Sequence, residues 1–385
     1  MKPPHGISLL CALVVLSCLL SQHSTALPTM IRLGYTGCAS CHISPQGAGL
    51  LNAYGRGVDQ AQSLRGGDYK GSNSKWSRFL NWNGRITQDL RSVTQEQFMS
   101  STGKPGTQLV RSRLMYRNAT DLGAGLRFSA VITAENRSAP RPAFSYDVPV
   151  GSDPLFVNTA LLSYRPRSNV EIAFGRDQLP TGVNVPDLTI FVRSRNRVGY
   201  YDSPTQIKVF CWGKRYFVSA FAFGPGGNER PGDNEFGGGG LAEFDMLGKQ
   251  RTVVGINLLR GTSGNGERYL IAPYARIGFG SWGVLAEHDF TNRTSNLQLF
   301  RPFSQNATYG QVFWYPKEWL LMSLVGERLQ MDVPFRQVSN AGKIELSARL
   351  ASQVTTGLSV RWQRDPVSGG LSRSIALNLA LKSVF

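Results

Sequence analysis

The sequence has no long apolar run after its first residues. No stretch beyond residue 26 approaches the ~18–20 consecutive apolar residues that a membrane-crossing helix needs, which excludes helical spanning. Cysteine is scarce, with five in 385 residues, so a disulfide-stapled scaffold is excluded. Histidine is scarcer, with four. Acid is short relative to base: 25 Asp and Glu against 42 Lys and Arg, a formal charge of +17. In a soluble protein that surplus would suggest nucleic acid.

The N-terminus argues against nucleic acid. MKPPHGISLLCALVVLSCLLSQHSTALP has a basic residue, an apolar run from Ile7 to Leu20, and the small-x-small site Ser24-Thr25-Ala26. That pattern predicts a secretory leader over residues 1–26. An uncleaved anchor and lipidation at Cys18 are the competing readings. Removal of the leader would leave Cys38, Cys41 and Cys211 as the cysteines, and His42 and His288 as the histidines. Cys211, in VFCWGK, reads as an inert strand residue. The basic surplus must then face an anionic surface, a lumen or an anionic cofactor.

Three zones follow the leader. Residues 27–57, LPTMIRLGYTGCASCHISPQGAGLLNAYGRG, form a compact segment. Residues 58–75 are polar and rich in Gly and Ser, as in a linker. Residues 76–385 alternate with period two, segment after segment. In TQLVRSRLMYRN, Val110, Ser112, Leu114 and Tyr116 share one face, opposite Arg111, Arg113, Met115 and Arg117. In GLRFSAVITAEN, Leu126, Phe128, Ala130 and Ile132 alternate with Arg127, Ser129, Val131 and Thr133. In SWGVLAEHDF, Trp282, Val284, Ala286 and Phe290 face one way, with Glu287 and Asp289 the other. The Gly-rich stretch 229–244 has no Lys-Ser or Lys-Thr after it and reads as a flexible external loop.

A soluble sandwich also alternates. Large charges on the polar face, especially Arg, favour a wet lumen instead. Trp76, Trp82, Tyr116, Tyr164, Tyr274, Trp282, Trp314, Trp319 and Trp362 are candidates for interfacial girdles. Strands in hydrocarbon must close on themselves, because backbone groups there have no water to bond. The fold expected is all-β: a transmembrane antiparallel β-barrel of about sixteen strands, each with ~9–11 spanning residues.

The compact segment carries the chemistry. Cys38-Ala39-Ser40-Cys41-His42 is the C-x-x-C-H signature of c-type haem attachment. Two thiols two residues apart reach both vinyl groups of one porphyrin, and the following imidazole falls beneath the iron. The rivals are a dithiol redox pair, which wants a βαβ context, and a zinc site, which needs four ligands. Neither context is present in the sequence. The cofactor expected is one covalent haem c on Cys38, Cys41 and His42. The sixth ligand stays open among Met30, His288, another group and an open position. Tyr54 is a candidate to pack on the porphyrin, and Arg56 to pair with a propionate.

A leader, then P-x-M-x-R-x-G-x-x-G-C-x-x-C-H-x-x-P, then Tyr54-Gly55-Arg56, then a barrel whose last residue is Phe385, resembles the fused monohaem cytochrome–porins of the bacterial outer membrane. That family is best known from iron oxidisers. The match rests on residues 27–57, and Tyr54 stands where the family usually has Phe. The terminal SRSIALNLALKSVF also resembles an outer-membrane assembly signal. The resemblance implies an outer-membrane location and a haem segment plugging the lumen. It further implies electron transfer between an extracellular donor such as Fe(II) and a periplasmic cytochrome, in either direction. A lumen partner suits a segment this short, since chains below ~40 residues seldom fold unaided. Arg111, Arg113, Arg117 and Arg127 are expected to face inward and offset the propionates. An anion-selective porin with a redox-active plug is the second reading, and a haem enzyme such as a peroxidase the third.

Overall fold

The structure is a computed structural model. It describes residues 28–35, 37–47, 50–64, 85–101, 104–136, 155–185, 190–196, 198–199, 202–226, 234–247, 251–264, 266–294, 303–332, 336–351, 354–367 and 370–384. Side chains of 95–111 and 366–384 fall outside that description, Arg111 and the terminal strand's apolar face among them. So do the leader, most of the linker, Trp76, Trp82 and Phe385.

Sixteen strands make the wall. The first four are β1 (Ile86–Ser101), β2 (Lys104–Gly123), β3 (Leu126–Glu135) and β4 (Leu155–Arg167). Then come β5 (Val170–Arg176), β6 (Thr205–Trp212), β7 (Tyr216–Gly224) and β8 (Phe236–Asp245). β9 (Thr252–Ser263), β10 (Gly266–Phe279), β11 (Trp282–Arg293) and β12 (Phe303–Lys317) follow. β13 (Leu320–Met331), β14 (Gln337–Ala351), β15 (Val354–Val367) and β16 (Gly370–Val384) complete the set. Each strand pairs antiparallel with its sequence neighbours. β1 also pairs with β16, from Arg91 opposite Val384 to Ser101 opposite Ser374, which closes the ring. Among the described residues no helix is long and apolar enough to cross a membrane.

The two faces invert the usual order. Leu324 is 54% exposed, whereas Glu327 on the same strand is 6% exposed. Phe290 is 50% exposed beside Asp289 at 1%. Large apolar side chains cover the outside and charged ones are packed within, which is stable only with hydrocarbon around the barrel. The period-two faces expected for β2, β3 and β11 are the ones observed. Tyr116, Tyr164, Trp282 and Trp362 are exposed on the outer surface, and Trp282 stacks on Trp314 with centroids 5.2 Å apart. Tyr274 departs from that group. It points inward, is 5% exposed, and donates to Glu243 Oε1 at 2.7 Å.

The ends of the barrel differ. At one end the connections are short, with described turns such as Ala124-Gly125 after β2 and Gly280-Ser281 after β10. Ala124 itself adopts φ 51°, between Gly123 at φ 91° and Gly125 at φ 79°. The long connections lie at the opposite end.

Two sequence expectations are corrected here. Residues 229–244 are not a loop throughout, because Phe236–Asp245 is β8 and pairs with both β7 and β9. Its glycines make room for rings. A Cβ on Gly239 would lie 2.7 Å from the Phe221 ring, and one on Gly237 2.7 Å from the Phe223 ring. The linker boundary also moves. A helix, α1 (Ala53–Ala61), runs across residue 57, and the chain is still tied to the wall at Leu64, whose N–H donates to the Arg349 carbonyl at 2.9 Å.

Candidate functional site

Two segments fill the lumen, and the first is the N-terminal one. A 3₁₀ turn, Pro28–Leu33, rests on β10 and β11. Gly278 allows the approach: a Cβ there would lie 2.5 Å from the Ile31 carbonyl and the Arg32 nitrogen. Ile31 is fully buried against Tyr274, Leu285, Phe313 and Tyr315. Arg32 is 2% exposed, lies 4.0 Å over the Tyr315 ring and pairs with Glu318 at 2.5 Å. We expect Gly278→Val to expel Pro28–Leu33 while leaving the strand ladder intact. Limited proteolysis of the folded barrel checks this, with new cleavage confined to residues before 65.

The C-x-x-C-H run forms one hydrogen-bonded turn. Cys41 N–H donates to the Cys38 carbonyl at 3.3 Å, and His42 N–H to the same oxygen at 3.0 Å. One turn therefore gathers both thiols and the imidazole. Its return strand is short: Ile43 N–H bonds the Leu50 carbonyl at 3.1 Å, and His42 bridges to Leu51. Asn52 then caps α1 by accepting from Gly55 N–H at 2.8 Å, and its amide donates to the Ser40 carbonyl at 2.6 Å. Glycine is required twice. A Cβ on Gly55 would sit 2.1 Å from the Cys41 carbonyl, and one on Gly47 (φ 80°) 2.7 Å from Cys38 Sγ.

The donor set fits a c-type haem better than a dithiol. Dithiol catalysis wants a lowered thiol pKa. Burial instead pushes the Cys38 thiol up to about 12 and raises Cys41 as well. His42 is 6% exposed. Met30, at 3%, packs on Cys41 with Tyr35 and Leu51 alongside. His288 is elsewhere. It lies on the outer face of β11, bonds Thr308 Oγ1 at 2.8 Å and packs on Phe290, so it does not meet the motif. Tyr54 is 53% exposed and meets Tyr35 edge to face at 6.1 Å, with their hydroxyls in contact. Arg56 is exposed and donates to the Leu51 carbonyl at 3.1 Å.

The wall contributes Arg127, expected from the sequence to face inward, together with Arg165 and Lys208, which the sequence reading did not single out. Arg127 Nη1 and Arg165 Nη2 both donate to the Ile43 carbonyl, at 3.4 and 3.3 Å. Lys208, fully buried, donates to Gln46 Oε1 at 2.9 Å and pairs with Asp177. Gln46 in turn donates to the Gln178 carbonyl at 3.1 Å. Lys208 had a visible signal: it is a lone charge inside the apolar run IKVFCW. Arg113 and Arg117 do face inward as expected, but they pair with Glu135 and Asp89.

The second lumen segment is the connection from β5 to β6. Its described part includes a four-residue helix, α2 (Phe191–Ser194), and Val183, Ile190, Phe191 and Val192 are buried. Glu287 Oε2 accepts from Val183 N–H at 2.9 Å, and Glu327 Oε2 from Phe191 N–H at 2.7 Å. Further partners, Asp289, Thr291 and Arg293, climb β11 toward the long-connection end. The haem-motif segment rests at Gly278, beside the opposite end. The β5–β6 segment thus fills the lumen on the long-connection side of the motif.

No family model and no curated protein matches the chain. Solved structures do. OprB of Pseudomonas putida aligns with a TM-score of 0.59 at 11% identity, covering 80% of this chain and 96% of that one. The anion-selective porin of Comamonas acidovorans gives 0.56 at 12%, covering 78% and 100%. The outer-membrane channel DcaP of Acinetobacter baumannii gives 0.57 at 12%, covering 78% and 97%. The chain therefore has the fold of the outer-membrane β-barrel porins, and its apolar outer belt places it in that bacterial membrane.

Proposed function

We propose that this chain is an outer-membrane electron-transfer protein, with one haem c on Cys38, Cys41 and His42 held inside a porin-like barrel. One observation carries the reading: both thiols and the imidazole share a single turn lodged in the lumen. The bound group would supply a one-electron couple. The chain's own residues attach it, ligate it through His42, and exclude water with Met30, Ile31 and Cys41. Met30 is the thioether at hand for a sixth ligand, and a Met ligand raises the potential relative to a second His.

The short-turn end of bacterial barrels faces the periplasm. The motif lies toward that end, rather than near the cell surface where an external donor such as Fe(II) would arrive. A periplasmic cytochrome can approach it there directly. Exchange with the outside must pass the β5–β6 segment.

The resemblance to an anion-selective porin favours a second reading, anion passage with the haem segment as a plug. The lumenal charge argues against a strong anion preference. Arg113, Arg117, Arg193, Arg268, Arg276 and Arg361 each have a carboxylate partner. The visible spectrum of the purified protein in both redox states, with Fe(II) as reductant, tests the proposal. A c-type spectrum that reduces is expected. A colourless protein with a large, steady, anion-preferring conductance supports the second reading instead.

A further inference from the structure

Arg127 and Arg165 come from adjacent strands, β3 and β4, yet meet on a single oxygen, the Ile43 carbonyl, one residue past His42. One neutral carbonyl cannot balance two guanidinium groups. Arg165 has a carboxylate: its Nε donates to Glu171 Oε2 at 3.0 Å, and Glu171 is 3% exposed. Arg127 has none within ion-pair distance among the described residues, and Asp121, opposite it in the β2–β3 register, acts on it only from further off. This sets it apart from Arg113 and Arg117, which spend their charge on Glu135 and Asp89. Two forked donors converging beside one carbonyl, one of them without a carboxylate at ion-pair distance and partly withdrawn from water, form a receptor for a carboxylate.

We propose that Arg127 and Arg165 form a carboxylate clamp on the lumen wall, and that a propionate of the haem carried by Cys38 and Cys41 is the carboxylate they hold. The clamp rests on the haem reading above. Of the arginines that the sequence suggested for the propionates, it selects Arg127, adds Arg165, and sets aside Arg56, which is exposed and donates to the Leu51 carbonyl. It also couples barrel to cofactor electrically. A cation near the porphyrin stabilises the reduced form, which carries one positive charge fewer, so Arg127 raises the midpoint potential. Arg127 is the position to test, because its removal strands no carboxylate, whereas loss of Arg165 would leave Glu171 buried and unbalanced.

The experiment is a redox titration of the holoprotein in detergent, following the haem absorbance of wild type, Arg127→Gln and Arg127→Lys. At a fixed poise, Arg127→Gln is expected to raise the ratio of oxidised to reduced haem about tenfold, a fall of about 59 mV for a one-electron couple. Arg127→Lys keeps the charge and is expected to recover most of the shift. Folding of each variant is read independently from the heat-dependent gel mobility of the barrel. An unchanged potential in a folded, haem-loaded Arg127→Gln protein overturns the clamp and leaves the haem reading standing. A wild-type protein without haem overturns both. A changed reversal potential in a KCl gradient across a planar bilayer, with the haem potential unmoved, assigns the pair to a permeating anion and also overturns the propionate clamp.

Discussion

On the proposed haem reading, replacing Cys38 and Cys41 together by alanine is expected to reduce covalent haem to background while the barrel still folds. The two thiols are the only covalent handles in the segment, and they sit on one turn with His42. The sixteen-strand ladder contains no residue before Ile86, so its hydrogen bonds survive the change. The cost to packing is small. Cys41 is buried among Met30, Tyr35 and Leu51, and loss of one sulfur from such a cluster costs on the order of 1 kcal/mol. That cost falls on the segment, not on the ring. Haem staining of a denaturing gel, with the intact mass of the processed protein, reads the result. His42→Ala gives a contrasting outcome: the porphyrin stays attached, but its spectrum changes because the axial nitrogen is gone. If the double cysteine variant retains full haem stain, or the wild type carries none, the assignment fails.

The barrel was legible in the sequence because its signal is local. Period-two alternation in β2, β3 and β11 states directly which side chains face hydrocarbon, and no tertiary information is needed to read it. The C-x-x-C-H turn was legible for a similar reason, since spacing within five residues gathers its two thiols and its imidazole. What stayed hidden depends on distant contacts. Phe236–Asp245 reads as a loop because glycine lowers strand propensity, and the Phe221 and Phe223 rings, with the Leu258 and Arg260 carbonyls of β9, explain why glycine belongs at 239 and 237. Tyr274 alternates correctly with its neighbours, but aromatic type alone suggested the outer girdle, whereas Glu243 holds it inward. The β5–β6 segment was the largest omission. Its apolar run Ile190-Phe191-Val192 is too short to mark an element, and the carboxylates that hold it, Glu287 and Glu327, lie about a hundred residues further on.

Those carboxylates also explain how an irregular segment is tolerated inside the barrel. Buried backbone N–H groups need partners, and a segment crossing a lumen has no ladder to supply them. Here Val183 and Phe191 donate to carboxylates, while Asn196 bonds Asp289 and its carbonyl accepts from Arg268. The wall charges thus have two duties. They pair with one another, as Arg268 does with Glu235 and Arg361 with Glu327, and they satisfy the backbone of what they enclose. A lumen occupied in this way differs from an open aqueous pore of the same strand number.

Glu287→Ala is expected to release the β5–β6 segment and raise single-channel conductance several-fold. Glu287 is 3% exposed and accepts from two groups of the segment, Val183 N–H at 2.9 Å and Arg193 Nη2 at 3.3 Å. Gly182 permits this closeness, since a Cβ there would stand 2.5 Å from Glu287 Oε1. Removing the carboxylate leaves Arg193, itself 5% exposed, as a buried cation without its counter-ion, which costs about 3–5 kcal/mol. Val183 N–H is left unpaired as well, adding about 1–3 kcal/mol. The strand ladder of β11 does not depend on the side chain, so the penalty is relieved by undocking the segment rather than by opening the barrel. Glu287→Gln should fall between, because its amide oxygen can still accept from Val183 while the charge is lost. Arg193→Met combined with Glu287→Leu removes both charges and refills the space with apolar volume. It should restore the wild-type conductance, as replacement of a buried pair is often near neutral where removal of one partner is not. Planar-bilayer recording of the four proteins, with protease cleavage within residues 177–204 as the second readout, decides the matter. Equal conductance and equal protection in Glu287→Ala and wild type would show that the segment is held by other contacts.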